Sequence, residues 1–393
     1  MESNPQAPRD GSMLAVAALA ATCFGMSLNA NVLAALNPYL EDALGLGKPE
    51  LGALGAAAGL AGTVAALLLG PTVDRLGRRP PLLVGTAAFL VASLGYFIAD
   101  SFATLIAIRI ATGFAAGVVL TSASSAVADL IPYERRGFAM GIVTGAILLA
   151  VPLGMPVALE FAEAGHWRGI FAVQVAASAV TMVALVRVLP EGLGRGGRTE
   201  SQWEVLRHPG VLAALGSMFL YNGAFFASMQ FLGTWLDEVG ILAKSAQGGM
   251  WITLGLVSAV GGMGLTKVAD KIGKRAFVLL ATAIVGGGLV LLARVEDLPA
   301  LVMVGVPVGI VSAARSGALL ALVSELVPHG SRGTLMGVRT AAVTLGTGTF
   351  PWLAGEVYAA SGFPVFLQVA GLSVAFAWVL VRFGVAEPRR RRS

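Results

Sequence analysis

The sequence predicts an all-α integral membrane protein with twelve transmembrane helices in two pseudo-symmetric six-helix halves, and three observations predict it. First, 56% of the 393 residues are hydrophobic and only 12% are charged, against roughly 25% charged in soluble chains. The mean hydropathy is +0.80, and no soluble core hides that much apolar surface, so lipid is the natural solvent. Second, Lys and Arg fall almost wholly in alternate gaps between apolar runs. Third, the chain repeats itself at a shift of 196 residues.

A bilayer-crossing helix needs ~20 mostly apolar residues. That window gives Met13–Leu36, Leu51–Pro71, Pro80–Ile98, Phe102–Leu130, Gly137–Phe161 and Gly169–Leu189 in the first half. In the second it gives Val211–Leu236, Ala246–Val268, Ala276–Leu292, Leu298–Val327, Thr334–Tyr358 and Pro364–Phe383. Positive charge sets orientation. With both termini cytoplasmic, only Lys48, Arg168, Lys244 and Arg294 of the 27 Lys and Arg face outward, and Arg109 and Arg315 lie within helices. One missed helix would scramble that division. The organisation expected is a cytoplasmic tail over 1–12, a half over 13–189, a Gly- and Arg-rich cytoplasmic linker over 190–210, a half over 211–384, and a basic tail over 385–393 suited to anionic headgroups. The run from Met13 outlasts a signal peptide's apolar region, so a retained first helix and a bacterial inner-membrane location are expected.

At the 196-residue shift, Asp74-Arg75-Leu76-Gly77-Arg78-Arg79 falls on Asp270-Lys271-Ile272-Gly273-Lys274-Arg275. Asp129 to Pro132 falls on Glu325 to Pro328, and Arg136, Gly137, Met140 and Gly141 fall on Arg332, Gly333, Met336 and Gly337. An even number of helices per unit makes the halves parallel. Such duplication is typical of secondary transporters, with the site between the halves.

Composition and motifs exclude several classes. The net charge of +5 lies in short gaps rather than on one face, which argues against nucleic acid. No GxxxxGK[ST] loop for ATP and no HExxH occurs, and the GxGxxG spacing of Gly192, Gly194 and Gly197 follows no strand. The single Cys23 permits no intrachain disulfide and reads as a small buried hydrophobe. No enzyme, cofactor or metal site is expected.

The segment Gly70 to Pro80 resembles the signature between helices 2 and 3 of the major facilitator superfamily, through Gly70, Asp74, Arg75, Gly77, Arg78 and Arg79. Its counterpart in the second half is partial, with Thr266 in place of the glycine. Arg109 and Gly113 resemble that superfamily's helix-4 motif. Gly141, Gly145, Pro152, Gly154 and Pro156 resemble the helix-5 motif of its drug:proton antiporter branch, broken in part by Ala150, and Gly165 to Phe171 resembles the start of helix 6 in bacterial efflux members. The resemblance implies the major facilitator fold, a monomer, and a cavity lined by helices 1, 4, 7 and 10. Those helices carry Asn29 and Asn31, Arg109, Tyr221, Asn222 and Gln230, and Arg315.

Physical chemistry gives these residues roles. A carboxylate at the end of helix 2, Asp74, can face a neighbouring helix N-terminus, worth ~0.3–1 kcal/mol exposed and up to ~2 when partly buried. The resemblance makes that neighbour the start of helix 11, near Gly333. Arg78 or Arg79 would then pair with Asp129, and Lys274 or Arg275, beside Asp270, with Glu325. Together they would lock the cytoplasmic side while the outer side is open; ordinary positive-inside charge is the competing reading. A charge such as Arg315 in mid-helix costs at least ~2.5–3.5 kcal/mol on insertion scales and normally faces a cavity or a partner, which suits an anionic substrate. No carboxylate lies at mid-membrane in helices 1, 4, 7 or 10. The expectation is a secondary active transporter of a small organic solute, an exporter, with protons as the candidate coupling ion. The second reading is an importer or facilitator of an anionic or amphipathic solute using Arg315. The third is a non-transporting sensor or assembly protein.

Overall fold

A computed structural model describes residues 10–194, 202–327 and 332–386. The side-chain surroundings at 10–11, 69–75, 128, 133–134, 136–137, 259–260, 262–264, 266–267, 270 and 332–333, which include Gly70, Asp74, Arg75 and Asp270, lie outside the described set, as does the basic tail. Among the described residues there is no strand.

Long helices alternate in direction with short connections. In the first half they are α1 (Asp10–Leu44), α2 (Lys48–Leu76), α3 (Arg79–Leu94, extended by a 3-10 turn at Gly95–Ile98), α4 (Phe102–Leu130), α5 (Tyr133–Leu149) and α6 (Gly169–Val188). A short helix, Gln202–Arg207, precedes the second half: α7 (Val211–Glu238), α8 (Gln247–Ile272), α9 (Lys274–Leu292), α10 (Leu298–Ser324), α11 (Arg332–Ser361) and α12 (Phe363–Gly384). Ten of these rods are long and apolar enough to cross a bilayer. The other two are α8, whose described residues form no unbroken stretch of that length, and α11, which is rich in Gly and Thr and carries Arg339 and Glu356.

Two helices depart from the window reading. The first runs on through Pro38 to Leu44 rather than stopping at Leu36. The fifth is interrupted: α5 passes through a π-turn at Ala150–Gly154 into a last segment, Met155–Glu163. Pro152 causes this, because proline has no N–H to donate and clashes with the carbonyl four residues back, so the helix widens by one residue.

Glycine sets the closest approach between the halves, at the crossing of α2 and α11. A Cβ at Gly59 would stand 2.5 Å from the Cα of Gly348, and one at Gly52 would stand 2.4 Å from the Pro351 carbonyl oxygen. Small residues allow such backbone contact. On the other side of the molecule, Pro152 packs into Gly255 of α8.

The apolar core has a telling division. One large cluster draws on both halves: Leu28, Leu36, Leu51 and Ile108 from the first, with Tyr221, Phe231, Val308 and Phe350 from the second. A smaller one joins Ala34 and Met155 to Trp251. Toward the end where α1 begins and α12 ends, the core splits. One cluster there holds first-half residues, among them Val16, Met26, Ala115 and Val127. The other holds second-half residues, among them Met218, Ala314, Leu322 and Val338. We call this the basic end, after its arginines and lysines, and the opposite one the far end.

Candidate functional site

At the far end the halves are tied by paired ion bridges. Lys48, opening α2, lies 2.5 Å from Glu41 in its own half and 2.6 Å from Glu238 on α7. Lys244, between α7 and α8, reaches back to Asp42 on α1 at 2.5 Å, and its backbone N–H donates to Asp237 Oδ1 at 2.8 Å. The arrangement is reciprocal. Shifted by 196 residues, Glu41, Asp42 and Lys48 become Asp237, Glu238 and Lys244, so each lysine pairs with the other half's second acid. Each also lies over a ring: Lys48 over Tyr358 at 5.2 Å and Lys244 over Tyr39 at 5.3 Å. The Tyr358 hydroxyl donates to Glu238 as well. The Asp42 hydrogen bond raises the pKa of Lys244 above its ordinary value, with partial burial opposing.

Further in, Asn37 Nδ2 donates to the Gln230 carbonyl at 2.9 Å, and Gln230 Nε2 donates to the Leu51 carbonyl at 3.1 Å. Gln230 thus bridges the two halves in this conformation. The series of cross-half bonds ends near mid-height, where Thr63 donates to Thr344 at 2.9 Å.

The basic end pairs charges differently. Arg78 Nε lies 3.0 Å from Asp129 within the first half, and Arg79 Nη1 lies 2.8 Å from Glu191 at the start of the linker. Lys274 lies 2.8 Å from Glu325 in the second half. Arg79 also donates to the Val186 carbonyl, and Arg275 donates to that of Arg382, its counterpart at the 196-residue shift. Gly77 and Gly273 hold positive φ at matching turns.

Between the ends lies the level where the shared core divides. On α1 it falls between Met26 and Leu28, on α4 between Ile108 and Ala115, on α7 between Met218 and Tyr221, and on α10 between Val308 and Ala314. Asn29, Asn31, Arg109, Tyr221, Asn222 and Arg315 all stand at or beside this level. Asn31 and Asn222 are partly exposed there, each amide donating to the carbonyl four residues back at 2.8 Å.

The two mid-helix arginines differ sharply. Arg109, 2% exposed, makes its hydrogen bonds within the first half. Its Nη1 donates to the backbone and side-chain oxygens of Asn29 at 3.0 and 2.9 Å, and its Nε donates to the Leu54 carbonyl at 3.2 Å. Asn29 in turn donates to Gln174 at 3.2 Å and Tyr96 at 3.4 Å, so this network staples α1, α2, α4 and α6. Arg315, 1% exposed, has only neutral hydroxyl partners. Nε donates to Thr282 at 2.7 Å and Nη2 to Ser217 at 3.2 Å. The Tyr221 ring covers its guanidinium at 3.5 Å, held by a bond from its hydroxyl to Ser312 at 2.8 Å.

The helix-5 motif divides as well. Pro152 and Pro156 face Gly255 and Gly248 of α8, and Gly154 packs on Leu28, whereas Gly141 and Gly145 meet open space. The far-end acids and lysines, Gln174 and Arg339 were not singled out from sequence. The 196-residue shift carried the signal for the acids and lysines. Arg339 lies inside α11, partly buried, and its Nε has no hydrogen-bond partner among the described residues. Among the described residues no cluster of His, Cys, Asp or Glu is placed to hold a metal ion.

Comparison with known proteins brings these features together. The profile of the Major Facilitator Superfamily matches residues 17–292 and 242–393. The uncharacterised MFS-type transporter YceJ of Bacillus subtilis is 27% identical over 360 residues, covering 87% of this chain and 90% of its own. The 3-(3-hydroxy-phenyl)propionate transporter of Escherichia coli is 26% identical over 350 residues, covering 87% and 85%. In fold, the chain is similar to the crystal structure of the human organic anion transporter MFSD10, with a TM-score of 0.75 at 19% identity, covering 96% of this chain and all of that one.

Proposed function

The chain belongs to the Major Facilitator Superfamily and is a multi-pass membrane transporter; from that premise we propose that it moves a small organic solute by secondary active, alternating-access transport, with twelve helices crossing the bilayer and both termini cytoplasmic. One observation carries the reading: the halves share a core and reciprocal ion pairs at the far end, and have separate cores at the basic end. That is what an inward-open state requires if the basic end is cytoplasmic. The far-end pairs then form the outer gate. Asp74 and Arg75 would close the inner side when the outer gate opens, whereas the pairs Arg78–Asp129 and Lys274–Glu325, each within one half and already formed here, would not.

Export driven by protons is the first reading of direction and coupling. The acids that change partners when the outer gate opens are Glu41, Asp42, Asp237 and Glu238, and a coupling proton would act there. The name of the E. coli relative, a transporter of a carboxylic acid, favours a second reading of the substrate, an organic anion, for which import or facilitated movement is the alternative direction. Both are tested in liposomes containing the purified protein, with a pH gradient imposed in either direction. The probes are labelled 3-(3-hydroxyphenyl)propionate, glucose and ethidium. Gradient-driven accumulation of any one supports transport and gives its direction. Binding without movement under any gradient would instead indicate the non-transporting sensor.

A further inference from the structure

We infer that Arg315 is the recognition point for a carboxylate on the transported solute, bound end-on through its Nη1–Nη2 edge at the apex of the inward opening. This rests on the transport reading. Three observations lead to it. The first is position. An alternating-access site must lie where the shared core ends, because only there can it face either side in turn. Tyr221, over the guanidinium, belongs to the shared core, while Ala314, next to Arg315 in sequence, belongs to the separate second-half core. Ser316 and Gly317, which follow Arg315, are exposed.

The second is charge balance. A buried cation is stable only with good geometry and full hydrogen bonding. Arg109 comes nearer that condition, with three oxygen acceptors, two of them backbone carbonyls. Arg315 falls further short: it has two hydroxyls and a ring face, and among the described residues no carboxylate is paired with it. The third is the free edge. Nη1 makes no hydrogen bond among the described residues, and Nη2 makes one, at 3.2 Å. Carboxylates bind guanidinium in bidentate fashion, and of the bonds along this edge only the one to Ser217 would have to be given up. The Thr282 bond on Nε holds the fork in place meanwhile. Tyr221 acts as a lid and platform: its face suits the cation, and its exchange of Ser312 for a new partner would accompany loading.

The test uses full-length protein in detergent and follows binding calorimetrically. The probes are benzoate, hexanoate and succinate, each beside its neutral amide. At least one acid is expected to bind, with its amide weaker by about 10- to 100-fold, the range of a hydrogen bond to a charged group. Arg315→Gln should abolish that preference and Arg315→Lys should retain part of it. If the Gln variant does not fold, wild-type protein modified by phenylglyoxal and mapped by mass spectrometry replaces it: the acid, not the amide, should protect Arg315. Equal binding of acid and amide, no binding by any of the three acids, or full acid preference in Arg315→Gln overturns the assignment. Alternating access itself is judged separately, by distances between the two ends, so either idea can fail alone.

Discussion

The two ends of this molecule use the same repeated charges in opposite ways. At the far end the lysine of each half reaches the other half's acid, Lys48 to Glu238 and Lys244 to Asp42. At the basic end the repeated pairs, Arg78 with Asp129 and Lys274 with Glu325, stay within a half. Apolar packing follows the same rule, with a shared core at one end and separate cores at the other. The difference teaches that far-end contacts are worth energy only while that end is closed. Basic-end pairs stabilise each half in any state.

The largest effect is expected where the comparison is broken by volume. Gly59→Leu places a side chain where Gly348 lies 2.5 Å from a Cβ, and overpacking of this kind costs about 1–3 kcal/mol. Maleimide labelling from the far side, at a cysteine replacing Leu51, should rise accordingly and transport should fall. Next comes charge. Lys48→Ala frees Glu41 and Glu238; its side chain is only 17% exposed, so the upper part of the range for partly exposed pairs applies, about 1 kcal/mol or fivefold in far-end opening. Lys244→Ala should do less, since Asp42 is 67% exposed. Both are read from the same labelling rate.

Lys274→Ala sharpens the contrast from the other side. It should lower the melting temperature slightly, in line with a pair worth ~0.2–1 kcal/mol, while leaving far-end labelling unchanged. The smallest effect is on alkaline pH. Lys244 has its pKa raised above 10.5 by Asp42. Its bridge is therefore fully present below that value and is lost only as pH rises through the raised one. Far-end labelling at a site remote from Lys48 should stay flat from pH 7 to about pH 10, once corrected for thiolate reactivity.

Much of this was legible in the sequence, for physical reasons. Helix positions followed from hydropathy, because lipid admits few alternatives to an apolar helix. The loop pattern suggested Arg78 or Arg79 with Asp129, the 196-residue repeat carried this to Lys274 or Arg275 with Glu325, and it contained Lys48 and Lys244 equally. Those lysines read as ordinary outward charge because pairing between halves depends on which end is closed, and a sequence does not specify a conformational state. Gln174 and Gln230 were ambiguous for a related reason: a lone amide in an apolar helix gives no direction, and only packing sends Gln230 to Leu51 and Gln174 to Asn29. The π-turn at Pro152 needed the partner glycine on α8 to become visible.

The most direct test of the central claim compares the two ends in one molecule. Spin-label pairs would be placed at the repeat-related positions Leu76 and Ile272 on the basic end, and Asp100 and Glu296 on the far end, in a Cys23→Ser background. Distances would be measured in wild type and in the Lys48→Ala, Lys244→Ala double variant. The account predicts a reciprocal change, with the far-end distance lengthening and the basic-end distance shortening as the outer gate is weakened. Distances that stay fixed, or that lengthen together, would contradict it.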